Sequence, residues 1–333
     1  MCASCVGSRA AVAEALAAAG RMVVTTHIRP DADAIGSAAA LRLSATAAGR
    51  HCRVVIPDAV PQRYTFLSGD DPPGGPADFA ALAAEADRVV VVDTCTFMQL
   101  DPLAEALRPL RGKTVVIDHH ATADDVAAVI WRDPSAAAAG VMVAELLEAL
   151  DWPIPLPAGE ALAAAIYTDT GWLRHPNTDA RALGVITRLL EIGVRPGALY
   201  AKLYQSDRPE RLGLLAAALA SLELHAGGRV ATVALTGADF DRTGAARDET
   251  EDFVNEPMRI GSVEASAMLV EQPGGEVRVS LRGKGAVDVA ALARTFGGGG
   301  HTQAAGCTVA GDIASVRRLV VAACAAALRA RPS

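Results

Sequence analysis

Two aspartates two residues apart, Asp31 and Asp33, follow His27 in the segment HIRPDADAIGS. Carboxylates that close repel each other unless a cation lies between them or a helix N-terminus offsets their charge. Further along, Asp93 closes the apolar run 89–92, Asp118-His119-His120 closes the run 114–117, and Asp169 stands in the segment YTDTG. His27, Asp31, Asp33, Asp93, His119 and Asp169 make a set of two imidazoles and four carboxylates, more anionic ligation than one metal ion needs. Mixed imidazole and carboxylate ligation suits manganese, iron or zinc, and an oxygen-rich site leans toward manganese or magnesium. Two such ions about 3.5–4 Å apart, bridged by a carboxylate, recur in phosphoryl hydrolysis.

Taken singly, these residues have plainer readings. An aspartate after a strand is usually a turn or cap residue, and paired histidines are more often structural. Their shared placement argues otherwise. In an open parallel sheet the carboxyl ends of neighbouring strands face one crevice, where residues distant in sequence converge.

The elements that would position them are legible. The runs 22–26, 53–56, 89–92, 114–117 and 126–131 are nearly all apolar, as expected for parallel strands buried on both faces. Alanine- and leucine-rich segments at 35–48 and 136–150 read as helices between or after them. The alternation indicates a doubly wound α/β domain with a mostly parallel sheet. Three prolines in 151–157 interrupt it, and helical patterns resume at 159–167 and 178–192. Residues 196–220 read as a helical connector, with Ser206-Asp207-Arg208-Pro209 as a helix-start signal inside it. Beyond Arg229 the character changes to strands at 230–235, 262–270 and 276–281, the last two joined as a hairpin across Gln272-Pro273-Gly274-Gly275. A helix at 287–296, a glycine run, a short strand near Thr308 and a helix at 314–329 complete a smaller α+β domain.

That second domain carries its own candidate site. Ser280 and Arg282 are two apart at the end of a strand and so share a face, and arginine gives a planar, bidentate grip on phosphate. Gly297 to Gly300 precede His301. Consecutive glycines let backbone amides approach an anion, although taken alone they read more readily as a flexible turn after the helix.

The totals narrow the possible partners. A chain of 333 residues accommodates two domains. Its formal net charge of -7 argues against coating long nucleic acid, while short polyanions remain open if bound metals supply local positive charge. Six cysteines spread along the chain do not suggest a disulfide framework, and the isolated pair Cys2 and Cys5 has no partner pair to complete a zinc site. The apolar segment 136–150 is interrupted by Glu145 and Glu148 and is too short to span a membrane. A soluble, cytoplasmic protein is the expectation.

Five segments, in order, carry a close resemblance. HIRPDADAIGS, VVVVDTC, VIDHHAT and AAIYTDTGWLRHPNT resemble the motifs of the DHH phosphoesterases, and FGGGGHTQAAGC resembles the signature of the DHHA1 domain. The resemblance runs over essentially the whole chain, and in size and motif style it is most similar to the NrnA group of oligoribonucleases and 3'-phosphoadenosine-5'-phosphate (pAp) phosphatases. It implies a DHH metal-binding catalytic domain at 1–192, a helical connector at 193–222, a DHHA1 substrate-binding domain at 223–333, and an active site in the cleft between the domains. It assigns His27, Asp31 and Asp93 to one metal and Asp33, Asp93, His119 and Asp169 to the other, with Asp93 bridging. His120 would face the scissile phosphate, with Asp118 orienting the pair. Arg174 would reach the scissile phosphate or remain a solvated charge. Ser280, Arg282, Gly298, Gly299, Gly300 and His301 would hold the substrate's terminal phosphate. Two departures stand out: Gly283 replaces an expected second serine, and Asp252 replaces a frequent glycine beside Asn255.

The implied activity is hydrolysis of short nucleotides, dinucleotides such as pApA and pAp among them, with cyclic-di-AMP a further candidate. The attacking group would be a hydroxide shared by two divalent ions, manganese first and magnesium second. Short RNA oligomers and nucleotide bisphosphates are the expected partners; long duplexes and membranes are not, and a homodimer is left open. A RecJ-like single-strand exonuclease and a family II-like pyrophosphatase are the alternatives. A nucleotide sensor without catalysis ranks last, since a pure binder needs no pair of metals.

Overall fold

Five short apolar runs, β1 (Arg21–Thr25), β2 (His51–Val54), β3 (Arg88–Val92), β4 (Thr114–Asp118) and β5 (Val129–Arg132), form one sheet in the order β2-β1-β3-β4-β5. Every pairing in it is parallel. The computed structural model describes residues 7–285 and 287–329, so the Cys2/Cys5 pair lies outside the described residues. The chain divides into two compact units, Met1–Ser206 and Asp207–Ser333.

In the first unit the strands alternate with α1 (Arg9–Ala17), α2 (Ala32–Ala47), α3 (Pro76–Glu85), α4 (Ala104–Leu107), α5 (Ala139–Ala149) and α6 (Leu156–Asp169), followed by α7 (Ala180–Ile192) and α8 (Pro196–Tyr204). Successive strand residues point to opposite faces, and here both faces are covered. Met22, Val24, Val90, Val92, Val115 and Ile117 pack with Ile35, Val141 and Leu162 of α2, α5 and α6. Val23, Val89, Val91 and Val116 pack with Phe79 of α3 and Leu107 of α4. Burying a valine fully stabilises by about 1.5–3 kcal/mol, which explains runs with no polar alternation. The alanine-rich helices pack closely: a Cβ at Gly36 of α2 would lie 2.4 Å from the carbonyl oxygen of Ala161 in α6.

The second unit starts with α9 (Pro209–Ala220). A mixed sheet follows, made of β6 (Glu223–His225), β7 (Val230–Leu235), β8 (Ala265–Gln272), β9 (Glu276–Gly283), β10 (Gly299–His301) and β11 (Ala304–Ala310). Its order is β10-β11-β9-β8-β7-β6, and of its pairings only β7 with β8 is parallel. The expected hairpin is β8–β9. Helices α10 (Gly237–Thr243), α11 (Val289–Arg294) and α12 (Ile313–Arg329) complete the unit. One face of β8 and β9 packs against α11 and α12 through Ala265, Ala267, Val277, Val279 and Leu281. The other face of β8 packs Met268 and Val270 against Phe253 and Val254.

The region 193–222, read from sequence as a connector, falls across the division at Ser206: α8 belongs to the first unit and α9 to the second. The glycine run, read as a loop, contains β10. Among the described residues no helix is long and apolar enough to cross a membrane.

Candidate metal centre and phosphate site

The order β2-β1-β3-β4-β5 reverses between β1 and β3, and a crevice opens at the carboxyl ends of strands at such a switch point. His27 follows β1 and Asp93 follows β3, and their side chains meet there, His27 Nε2 lying 3.3 Å from Asp93 Oδ2. Asp93 leaves its strand with φ 62°, a left-handed conformation that L-residues seldom adopt. Its amide still donates to the carbonyl of Ile117 in β4.

Asp31 caps α2, its Oδ1 accepting from the amides of Asp33 and Ala34 at 3.0 Å each. Asp33, in the first turn of the helix, is buried. It accepts from the first two amides of α5, Ala139 at 2.6 Å and Gly140 at 2.8 Å, and from the Ser37 hydroxyl at 3.2 Å. Those α5 amides carry the positive end of a helix dipole. They are site components that sequence reasoning missed, because only the run SAAAAG marks them. Gly140 is needed in this position, since a Cβ would sit 2.7 Å from that of Ala165.

His119 follows β4, and three carboxylates converge on its Nε2: Asp93 at 3.3 Å, Asp169 at 3.5 Å and Asp33 at 3.7 Å. Asp169 is the last residue of α6. Both metal-facing rings are oriented from behind. Nδ1 of His27 donates to Ile28 O (2.8 Å) and Nδ1 of His119 to Ala136 O (3.2 Å), which turns each Nε2 toward the carboxylates, as an N–H donor while the ring is protonated and as a ligating lone pair once that proton is displaced. His120 is held differently, its backbone amide and its Nδ1 both donating to Oδ1 of buried Asp118, at 3.0 and 2.8 Å.

The electrostatics are those of a site short of positive charge. Burial raises Asp33 to about 8, and the charge of Asp93 adds to this against the opposing charge of His119. Asp169 is likewise raised, by burial and by Asp33. For Asp93 burial works in the same direction, yet the hydrogen bonds from His119 and His27 outweigh it and hold the carboxyl far below the usual carboxylate range. Burial lowers both of those imidazoles, but Asp93 and its neighbours overcome this and raise His27 to about 10 and His119 to about 11. Asp93 Oδ1 is buried, and beyond its 3.3 Å approach to His119 Nε2 it has no hydrogen-bond partner among the described residues.

Three groupings bring possible ligand atoms within 4.8 Å of one another: His27, Asp31 and Asp93; Asp33, His119 and Asp169; and Asp93, His119 and His120. Four carboxylates around two imidazoles, with one buried oxygen left over, fit a pair of divalent cations. Asp93 belongs to the first and third of these groupings and His119 to the second and third, so the two residues link all three.

Arg174 is not brought into this cluster. It is exposed on the turn after α6, where Gly171, Trp172 and Leu173 all have positive φ, and its Nε donates to Gly171 O at 2.7 Å. The nearby Asn177, which the sequence did not single out, donates to the carbonyls of Asp169 and Ala137 and ties that turn to the strand of chain before α5.

In the second unit β9 alternates as expected: Arg278, Ser280 and Arg282 share one face, with Val277, Val279, Leu281 and Gly283 buried on the other. Arg282 is held in a largely desolvated place, which lowers its pKa against the raising charges of Asp252 and Glu251. The glycines divide by role. A Cβ at Gly298 would meet Gly306 O at 2.1 Å, and one at Gly300 (φ 138°) would meet Ala304 O at 2.5 Å, so close strand pairing requires both. The Gly298 amide donates to Ala293 O, whereas Gly299 faces open space. His301 lies in β10, and its side chain is outside the described set. Gly283 also has a steric reason, since a Cβ there would lie 2.7 Å from Val287 O, leaving no room for the expected serine.

The pattern of the DHH family, N-terminal domain, matches residues 21–168, and that of the DHHA1 domain matches residues 227–327. The chain is 32% identical over 312 residues to the bifunctional oligoribonuclease and PAP phosphatase NrnA of Thermus thermophilus, covering 90% of this chain and 88% of that protein. The Bacillus subtilis protein of the same name is 27% identical, covering 86% of this chain and 89% of its own. An exopolyphosphatase-related protein from Bacteroides fragilis has the same fold, with a TM-score of 0.91 at 23% identity over 96% of this chain and 97% of that one.

Proposed function

Because the chain belongs to the DHH family and carries a DHHA1 domain, we propose that it is a two-metal phosphohydrolase of short nucleotides, acting on pAp and on dinucleotides such as pApA. The observation that carries the reading is the convergence of Asp33, Asp93 and Asp169 within 3.7 Å of His119 Nε2, beside the His27–Asp93 pair. His27, Asp31 and Asp93 would hold one divalent ion, and Asp33, Asp93, His119 and Asp169 the other. Bound there, manganese or magnesium would lower the pKa of water and offset charge on phosphoryl oxygens.

The chain's own groups do the rest. The carbonyls at Ile28 and Ala136 hold His27 and His119 in the ligating tautomer. Asp118 fixes the His120 ring through Nδ1, and His120 would polarise the phosphate or protonate the leaving oxygen. No covalent nucleophile is needed. Cys95 is buried and its thiol is pushed up to about 12, chiefly by burial, so it is not a nucleophile at neutral pH. Arg282, with Ser280 on the same face, would grip a second phosphate of the substrate, which favours bisphosphates and short oligomers over long chains.

The names of the relatives favour oligoribonuclease and PAP phosphatase chemistry over pyrophosphate or long single strands. The test is a turnover panel with manganese over pAp, pApA, cyclic-di-AMP, pyrophosphate and long single-stranded DNA. Hydrolysis of the first two is expected. Activity confined to pyrophosphate or to long strands would replace this reading with one of its alternatives.

A further inference from the structure

Ser266 stands directly opposite Arg282 in the antiparallel β8–β9 pair. Residues so paired project from the same face, with Cβ atoms about 4.5–5.5 Å apart. That face of β8 is otherwise apolar, continuing through Met268 and Val270 into a buried core. Ser266 is 0% exposed, and its hydroxyl has no hydrogen-bond partner among the described residues. A buried hydroxyl left unpaired costs stability. Alanine, which this strand already carries at 265 and 267, would avoid that cost.

Arg282 shows the complementary deficiency. A guanidinium has five N–H donors. The side-chain hydrogen bond Arg282 makes among the described residues runs from NH1 to the carbonyl of its own neighbour Leu281, at 3.1 Å. Asp252 and Glu251 act on it through their charge. An arginine anchored this loosely can reach a phosphate, but it does not present its two-donor edge in one fixed plane, which bidentate binding requires.

We infer that Ser266 is a positioning residue for Arg282: its hydroxyl accepts an N–H of the guanidinium when the opposite edge holds phosphate. The two unmet needs lie across one strand pair and satisfy each other. The inference rests on the phosphate role proposed for Arg282. It adds a specificity determinant for substrates that carry a second phosphate.

The test uses the full chain and four forms of it: wild type, Ser266→Ala, Arg282→Ala and the double variant. Binding of pAp to the metal-free protein is measured by calorimetry. Ser266→Ala should weaken it roughly 3- to 10-fold, the effect of one hydrogen bond, while its melting temperature stays level or rises. In the Arg282→Ala background the same substitution should change nothing further. Ser266→Thr, which keeps the hydroxyl, should bind within about twofold of wild type, and it serves as the reference if the alanine variant fails to fold. During turnover the Ser266→Ala effect should fall on KM for pApA and leave kcat and aryl phosphate hydrolysis unmoved. Unchanged pAp binding, or an equal loss with and without Arg282, overturns the inference even if wild type hydrolyses every expected substrate. Wild type that binds pAp through Ser266 and Arg282 without hydrolysing it would overturn the proposed activity and leave the positioning role standing.

Discussion

His27 Nε2 and Asp93 Oδ2 lie 3.3 Å apart although 66 residues separate them in sequence. They end adjacent parallel strands on the two sides of the point where strand order reverses. The sheet therefore assembles the centre: both residues leave the carboxyl ends of adjacent strands, where the crevice opens. Asp93 also approaches His119 at 3.3 Å through its other oxygen, so one carboxylate joins both halves of the cluster.

On the proposed two-metal reading Asp93 serves both ions, and its loss should do most damage. Asp93→Asn should remove bound metal as well as activity, as read by metal analysis of the purified variant beside its turnover. A variant that keeps both ions would show that Asp93 does not bridge.

His120 should behave in the opposite way. Its Nδ1 is tied to Asp118, and its proposed role is to act on the phosphate without binding metal. His120→Ala should retain metal and lose about 10²–10⁴ in kcat. Asp118→Asn, which disturbs only the orientation of that ring, should lose less. Metal depletion in His120→Ala would make it a ligand.

Legibility differed by element. The strands of the first unit could be read from the sequence because buried parallel strands are continuous apolar runs, and the six residues proposed there as metal ligands lie together in the structure. What sequence reasoning missed is made by backbone. The α5 amides that hold Asp33 belong to Ala139 and Gly140, which bear no chemical mark. Gly298 and Gly300 looked like anion-binding glycines, yet each has a packing reason visible only once β10 lies against β11. The short β6 pairs at a sheet edge with only three residues, too few for a periodic signal. The break between α8 and α9 was marked by Ser206-Asp207-Arg208-Pro209, but the sequence does not reveal that the two helices belong to different units.

The metal-free protein should lose stability as pH rises. His27 and His119 are raised in the fold to about 10 and about 11 from an ordinary 6.5. A raised folded-state value contributes stability that is complete below the unfolded pKa and disappears as pH passes through the folded one. Asp33, raised to about 8, acts with the same sign over a lower window. Thermal melts in chelator should therefore fall between about pH 6.5 and pH 10. Bound manganese should remove that slope, because it replaces the protons. A melting temperature independent of pH in chelator would contradict the charge balance described for the cluster.

Arg282→Ala should separate substrates by their phosphates. It removes a charge-assisted contact worth roughly 1.5–3 kcal/mol, or about one to two decades in kcat/KM. The loss should appear with pAp and pApA and nearly vanish with an aryl phosphate that offers only the reacting group. Equal losses on both classes would assign Arg282 to the fold or to the chemistry.

The most direct test of the central claim is a metal titration. Protein stripped with chelator and exhaustively dialysed is titrated with manganese while pApA hydrolysis and bound metal are followed together. No turnover is expected without metal, and activity should saturate at two ions per chain, with magnesium a weaker substitute. Full hydrolysis in excess chelator, or saturation at a single ion, would contradict it.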